Sequence, residues 1–170
     1  MHLPNHLAIG WLTGHREPSR RARMLIAWSS VAPDLDTLAI VFGQDAFGRW
    51  HHVLCHGILF ALVVTAVVFA LTRSARVASL AFVSFHLHLI ADLLGSGREW
   101  SMSYLYPLSD WQLGITWGWE LASWQNSAIM VGLFAAMIVT ARRSDRTFAE
   151  AFLPARIDRE VARTVKRWFA

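Results

Sequence analysis

A single cysteine, Cys55, excludes an internal disulfide and any cysteine-rich metal site. Charge is scarce as well: Asp, Glu, Lys and Arg make up 16% of the chain, against 55% hydrophobic residues and a mean hydropathy of +0.36. Long apolar runs in so weakly charged a chain point to a polytopic membrane protein. The opening MHLPNHLAIGWLTG lacks a basic leader and a small-residue cleavage site, so no cleaved signal peptide is expected. There is no G-x-S-x-G elbow, which leaves a serine hydrolase without support. Internal repeats and low-complexity tracts are absent too.

Four segments are long enough, or nearly so, to cross a bilayer: 22–42, 53–72, 77–95 and 124–141. The shorter apolar stretch 3–14 reads as a half-helix buried in protein. Residues 155–170 repeat Ile157, Val161, Val165 and Trp168 at helical spacing among Arg and Lys. That pattern predicts an amphipathic helix, lying on the membrane face or packing on its own protein. The expected fold is therefore all-α: a polytopic membrane bundle of about four transmembrane helices, an N-terminal half-helix and a C-terminal amphipathic helix. Residues 1–141 would form the membrane-embedded domain and 142–170 a basic cytoplasmic tail.

Of the 16 Lys and Arg residues, all but Arg49 and Arg98 fall on alternate loops or in the tail. The positive-inside rule then gives a cytoplasmic C-terminus, in a bacterial inner membrane. This asymmetry accounts for the net charge of +4 and a pI near 10.2 without nucleic acid, so membrane lipids are the expected partners.

Ionisable residues interrupt the apolar runs at His6, at Asp34 and Asp36 in APDLD, at His51, His52 and His56 in WHHVLCH, and at His88 and Asp92 in HLIAD. A spacing of four puts His88 and Asp92 about 40° apart on one helical face, whereas His86 points elsewhere and reads as a packing residue. Counted from the nearest basic residues at 1.5 Å per residue, these groups stand about 15–25 Å above the basic side. Separate segments thus bring polar groups to one slab in the outer half of the membrane. A carboxylate there is costly unless paired, hydrated or bound to a cation. Oxygen and imidazole donors together suit Zn²⁺, with Mn²⁺ or Fe²⁺ as alternatives, one or two ions in all. Asp36 is a candidate partner of a ligand or general base, and Glu120, in WGWELASW, a further ligand or base. The loop 97–123 is rich in Trp and Tyr, as an interfacial belt or as a lid in which Arg98 holds an anionic headgroup.

Taken together, these motifs resemble the LexA-regulated, membrane-bound metal-dependent hydrolase family. Its pattern runs from an early His near a Gly, through P-D-x-D, H-R-x-x-[ST]-H and H-x-x-x-D before a Gly, to a P-F-S-like turn. The counterparts are His6 with Gly10, PDLD at 33–36, HHVLCH at 51–56, HLIAD at 88–92 with Gly95, and PLS at 107–109, spanning residues 1 to 110. His52 stands where the family has Arg, which removes a phosphate-facing cation from the substrate side, and Cys55 stands where it has Thr or Ser.

A wider likeness is to zinc-dependent phospholipase C. It implies that His88, Asp92, Asp34 and His56 hold a first ion, with His51 a further candidate ligand. It also implies that Asp92 bridges and that His6 serves a second ion. The implied activity is hydrolysis of a phosphoester or lipid-linked substrate by metal-activated water. Two other classes compete: a haem-binding electron carrier using His56 and His88, and a metal or proton transporter built on the buried carboxylates.

Overall fold

The chain, described over residues 1–98 and 100–169 of a computed structural model, opens with α1 (Leu3–Gly14), which carries Pro4 in its first turn. A proline is tolerated there because that amide has no helical acceptor. Helix α2 (Arg20–Ser29) starts on Ser19, whose hydroxyl accepts from the Ala22 amide. It ends at Ser30, and a 3₁₀ segment (Ala32–Phe42) continues at 55° to it. Pro33 sets the break, since it has no amide hydrogen and crowds the preceding turn. Next come α3 (Gln44–Trp50), α4 (Ile58–Thr72), α5 (Ala75–Gly95), and a short ribbon of β1 (Ser101–Met102) paired antiparallel with β2 (Leu113–Gly114). The chain closes with α6 (Trp124–Arg143), a 3₁₀ turn (Phe148–Ala151) and α7 (Ala155–Trp168).

Helix α5 is the centre of the bundle and packs against α1, α2 and α4. Its buried side recurs every three or four residues, through Ala81, Phe85, His88, Asp92 and Gly95. One face therefore carries both core packing and the ionisable pair. Small side chains let the helices approach closely: a Cβ at Gly10 would meet the Ala27 carbonyl at 2.7 Å. Hydroxyls tie the same helices together, Ser30 donating to the His6 carbonyl at 2.6 Å and Ser84 to the Ile26 carbonyl at 2.9 Å.

Among the described residues, two helices are long and apolar enough to cross a membrane, α5 and α6; the bent pair of α2 and the 3₁₀ segment makes a third candidate. The sequence predicts a further span over 53–72, but 53–57 are not helical, and α4 has only 15 residues. Amides in and around this stretch bond outside any helix, those of Val53 and Leu54 to the Trp50 carbonyl. The Asp36 carboxylate accepts from the amides of His52 at 3.0 Å and Cys55 at 3.3 Å, and Ile58 N donates to the Tyr104 carbonyl at 2.9 Å. What remains is about 22 Å of helix against about 30 Å of hydrocarbon. Helices α4 and α6 expose Leu62, Val63, Val67, Val131 and Phe134, an outer surface suited to lipid.

At the basic end a second polar layer closes the bundle. Arg23 grips Glu150 through two nitrogens, each 2.6 Å from a carboxylate oxygen, and donates to the carbonyls of Glu17 and Pro18. The Trp11 indole donates to the same carboxylate at 2.9 Å. Arg20 adds bonds to the Glu150 and Leu153 carbonyls, so the turn after α6 is latched onto α1 and α2. Helix α7 then lays Val161 and Val165 toward Phe134 and Met137 of α6 across a small apolar cavity. Helix α7 thus packs on α6 along this face, while its Ile157 and Trp168 stay exposed. Replacing Glu150 with Ala leaves the buried Arg23 without its partner and should cost about 3–5 kcal/mol. A thermal unfolding scan in detergent checks this, with a clearly lowered Tm expected.

Candidate metal centre

Four donors from three parts of the chain converge: Asp34 of the 3₁₀ segment, His56 of the loop before α4, and His88 and Asp92 of α5. One atom from each lies within 4.8 Å of all the others. The two histidines face each other through Nε2 at 3.4 Å. The Asp92 Oδ2 atom is 2.9 Å from His88 Nε2 and 3.7 Å from His56 Nε2, and Asp34 Oδ1 is 3.7 Å from His88 Nε2. His56, His88 and Asp92 are buried; Asp34 stays partly open, at 22% side-chain exposure, on the accessible side.

Which nitrogen each imidazole offers is decided behind the cluster. His88 Nδ1 donates to the Ser30 carbonyl at 2.7 Å, and His56 Nδ1 donates to Asp36 Oδ2 at 2.9 Å. With both Nδ1 atoms committed as donors, both Nε2 atoms turn lone pairs inward. Two inward nitrogens and two carboxylates meeting in a buried space form a donor set that a cation would hold together. Two nitrogens bound about 2.0–2.1 Å from a tetrahedral ion stand about 3.3–3.4 Å apart. The observed separation agrees, and the donor set fits a divalent metal. It does not fit haem. A porphyrin would have to pass between nitrogens 3.4 Å apart, where the Asp34 and Asp92 oxygens already sit.

The two aspartates of PDLD have separate positions, which the sequence leaves open. Asp34 faces the cluster, whereas Asp36 is buried one layer behind. Its two oxygens accept from His51 Nδ1 at 2.8 Å, from His56 Nδ1, and from the amides of His52 and Cys55. His51, a candidate ligand from sequence, is not one of the four convergent donors: its Nδ1 goes to Asp36, and its ring centroid lies 5.6 Å from that of His56. His6 stacks on His88 at 3.8 Å between ring centroids, with Nε2 3.1 Å from Asp92 Oδ1. That oxygen is turned away from His88 and also meets the Met1 amino group, which donates to Ser96 Oγ at 2.6 Å. His6 Nδ1 is buried without a hydrogen-bond partner.

His52 adopts a left-handed backbone, φ 68°, and its buried ring lies 4.1 Å from His56 and 4.0 Å from Trp100. Burial, and then the neighbouring His56 and His51, push its pKa down to about 2. It is neutral at pH 7, so it does not supply the positive charge of the arginine it replaces. Burial, reinforced by Asp36, raises the Cys55 thiol to about 11, and it stays protonated. Arg98 is exposed in the turn after α5. Glu120 is exposed beside Gly97 and is not one of the four convergent donors.

His86 is a packing residue, as its spacing implies: Nδ1 donates to the Phe82 carbonyl at 2.8 Å and Nε2 accepts from the Tyr104 hydroxyl at 3.0 Å. The aromatic loop divides. Trp111 and Trp117 are exposed, as in a belt, while Trp100 reaches in to His51 and His52. Sequence patterns do not single out Ser30, and they give Trp100 only as one ring of the aromatic loop. No motif marks a carbonyl acceptor, and one Trp among nine carries no signal of its own.

Substituting Asp36 with Asn weakens the hold on His56 without touching the four convergent donors. It should cost about 10–100-fold in metal affinity, read by zinc titration of the purified chain. His88→Ala and Asp92→Ala should each abolish stoichiometric metal, measured by elemental mass spectrometry.

Comparison with curated proteins and with solved structures finds no match. A family described as YdjM inner membrane protein matches residues 1–157, nearly the whole chain and all of the convergent donors. It is the family that the motifs resembled, one of LexA-regulated membrane metal-dependent hydrolases with distant similarity to zinc phospholipase C. The chain therefore belongs to the YdjM inner membrane protein family.

Proposed function

We propose that this protein is a membrane-bound, zinc-dependent hydrolase of phosphoester or lipid-linked substrates. The observation that carries this reading is the convergence of two inward-facing Nε2 atoms with the carboxylates of Asp34 and Asp92. The nitrogen separation favours a tetrahedral ion of zinc's size. A divalent ion in such a setting supplies water acidified toward neutral pH and positive charge opposite the attacked centre. His88, His56, Asp34 and Asp92 would hold it. A second ion beside His6 is supported by Asp92 Oδ1, which lies 3.1 Å from His6 Nε2 while Oδ2 is the oxygen toward His56 and His88.

The remaining residues divide the work. Asp36 acts as a positioning residue, because all its hydrogen bonds aim at His51, His56 and the loop that bears them. His51 gives its Nδ1 hydrogen to Asp36, leaving Nε2 to carry a proton to or from the substrate. Arg98 meets the anionic headgroup at the rim, and His52 is a neutral wall beside His56 and Trp100. Glu120, exposed beside Gly97, is a proton acceptor at the outer edge.

Four segments cross the membrane in this reading, the bent pair and α4 joining α5 and α6. The tail 142–170 anchors domain 1–141 on the cytoplasmic side, and the site faces the periplasmic half. The alternation of basic loops supports this orientation.

Purified protein in detergent should hydrolyse bis(p-nitrophenyl) phosphate, lose that activity to a chelator and regain it with zinc. His51→Gln should keep its metal and lose about 10²–10⁴-fold in kcat. Arg98→Ala should raise KM for an anionic phospholipid. Metal-dependent flux in liposomes with no ester turnover would favour a transporter instead.

A further inference from the structure

Beside the four donors lies a cavity of about 360 Å³ whose wall includes Leu3 of α1, Val31, and Leu35 and Leu38 of the 3₁₀ segment. Asp34 and His51 belong to the same wall. The cavity therefore runs from aliphatic side chains to the one convergent carboxylate that is partly open. Asp34 Oδ1, 3.7 Å from His88 Nε2, links the two regions.

What surrounds the opening tells which medium it meets. Leu3, Leu35 and Leu38 are 53%, 51% and 63% exposed, and the same segment goes on to Val41 and Phe42 at 77% and 85%. In water, so many large apolar groups on eight consecutive residues would form an adhesive patch. In a bilayer they are ordinary lipid-facing side chains. Within 35–42 the exposed polar side chain is Thr37, and charged exposed residues resume beyond Gly43, with Asp45 and Arg49 of α3. The opening lies on the apolar part of a segment that, joined to α2, qualifies as a bent span.

We infer that the metal centre is reached sideways from the bilayer, and that this cavity holds the aliphatic chain of a membrane lipid. The hydrolysable group at the head of that chain lies at Asp34 and His51. This rests on the hydrolase reading for the fate of the lipid, but not for its binding. Bending the span at Pro33 is what makes the groove. A straight α-helix from Arg20 to Phe42 would present a closed ridge to the lipid. Leu35 and Leu38, three residues apart, share a face of a 3₁₀ helix and form one side of the channel. They are the residues that would select chain shape.

The test uses the full, metal-loaded chain in phosphatidylglycerol nanodiscs containing phosphatidylglycerol with a diazirine on its acyl chain near the ester. After irradiation, the labelled peptides are mapped by mass spectrometry. Label should concentrate on residues 31–38, above the level on the equally exposed faces of α4 and α6. Leu38→Trp, which fills the cavity, should cut that label about fivefold or more while metal content holds. Label spread evenly over α4, α6 and the 3₁₀ segment in the unaltered chain would overturn the inference, whatever the variant does. So would label at 31–38 that Leu38→Trp leaves unchanged. Turnover of bis(p-nitrophenyl) phosphate, assayed separately, keeps the two readings apart. Turnover without excess label removes the chain site alone; excess label without turnover keeps it and removes the hydrolase.

Discussion

A carboxylate on the buried face of a membrane helix is the constraint around which the bundle is arranged. Asp92 sits on the inner side of α5 with almost no exposure, where an unaccompanied charge is costly. Its oxygens have company from every direction: His88 from one turn earlier, His56 from the loop before α4, and His6 and the Met1 amino group from the start of the chain. Each arrives on a different segment. The close crossing of α1 over α2 at Gly10, the bend at Pro33 and the unwound stretch before α4 can all be read as conditions for that meeting.

The bundle has polar layers at both ends and little that is polar between. At the basic end, Arg23 and Glu150 form a closed pair with matched geometry and further hydrogen bonds, an arrangement that satisfies itself and fastens the tail. At the other end the donors are not closed among themselves. Their inward lone pairs and carboxylates call for something positive from outside the chain. Both clusters are buried, rich in ionisable groups and bordered by a cavity, but only the second turns two imidazole nitrogens and two carboxylates toward one point. That difference, more than burial or charge alone, separates a binding site from a structural latch.

A hierarchy of hydrogen bonds prepares the site. Ser30 and Asp36 reach the far nitrogens of His88 and His56 and so determine which nitrogen faces the ion. Asp36 does this while also holding the amides of His52 and Cys55, so one carboxylate both shapes the loop and orients its histidines. The departures of this chain from its family fall in the same loop. A neutral, buried His52 packs where an arginine is usual, and a protonated thiol stands in place of a hydroxyl. The loop keeps its form because its main-chain bonds go to Asp36, not to those two side chains.

Hydropathy and periodicity alone determined the class of this protein: all-helical, membrane-embedded, with a basic end and an amphipathic tail. They also brought His88 and Asp92 to one face, since a spacing of four is enough for that within a single helix. The motif order added Asp34, His56 and His6 as companions. Tertiary structure alone decided the rest. It separated Asp34 from Asp36, because neighbours on a bent 3₁₀ segment point into different surroundings that depend on what packs there. It tied His51 Nδ1 to Asp36 and unwound the start of the second predicted span, since amides given to Asp36 and Tyr104 leave no trace in a hydropathy profile. It also supplied Ser30 as a backbone partner, which no side-chain pattern encodes. Local sequence specifies helices and faces; which nitrogen, oxygen or carbonyl meets another across the bundle is settled only when the segments pack.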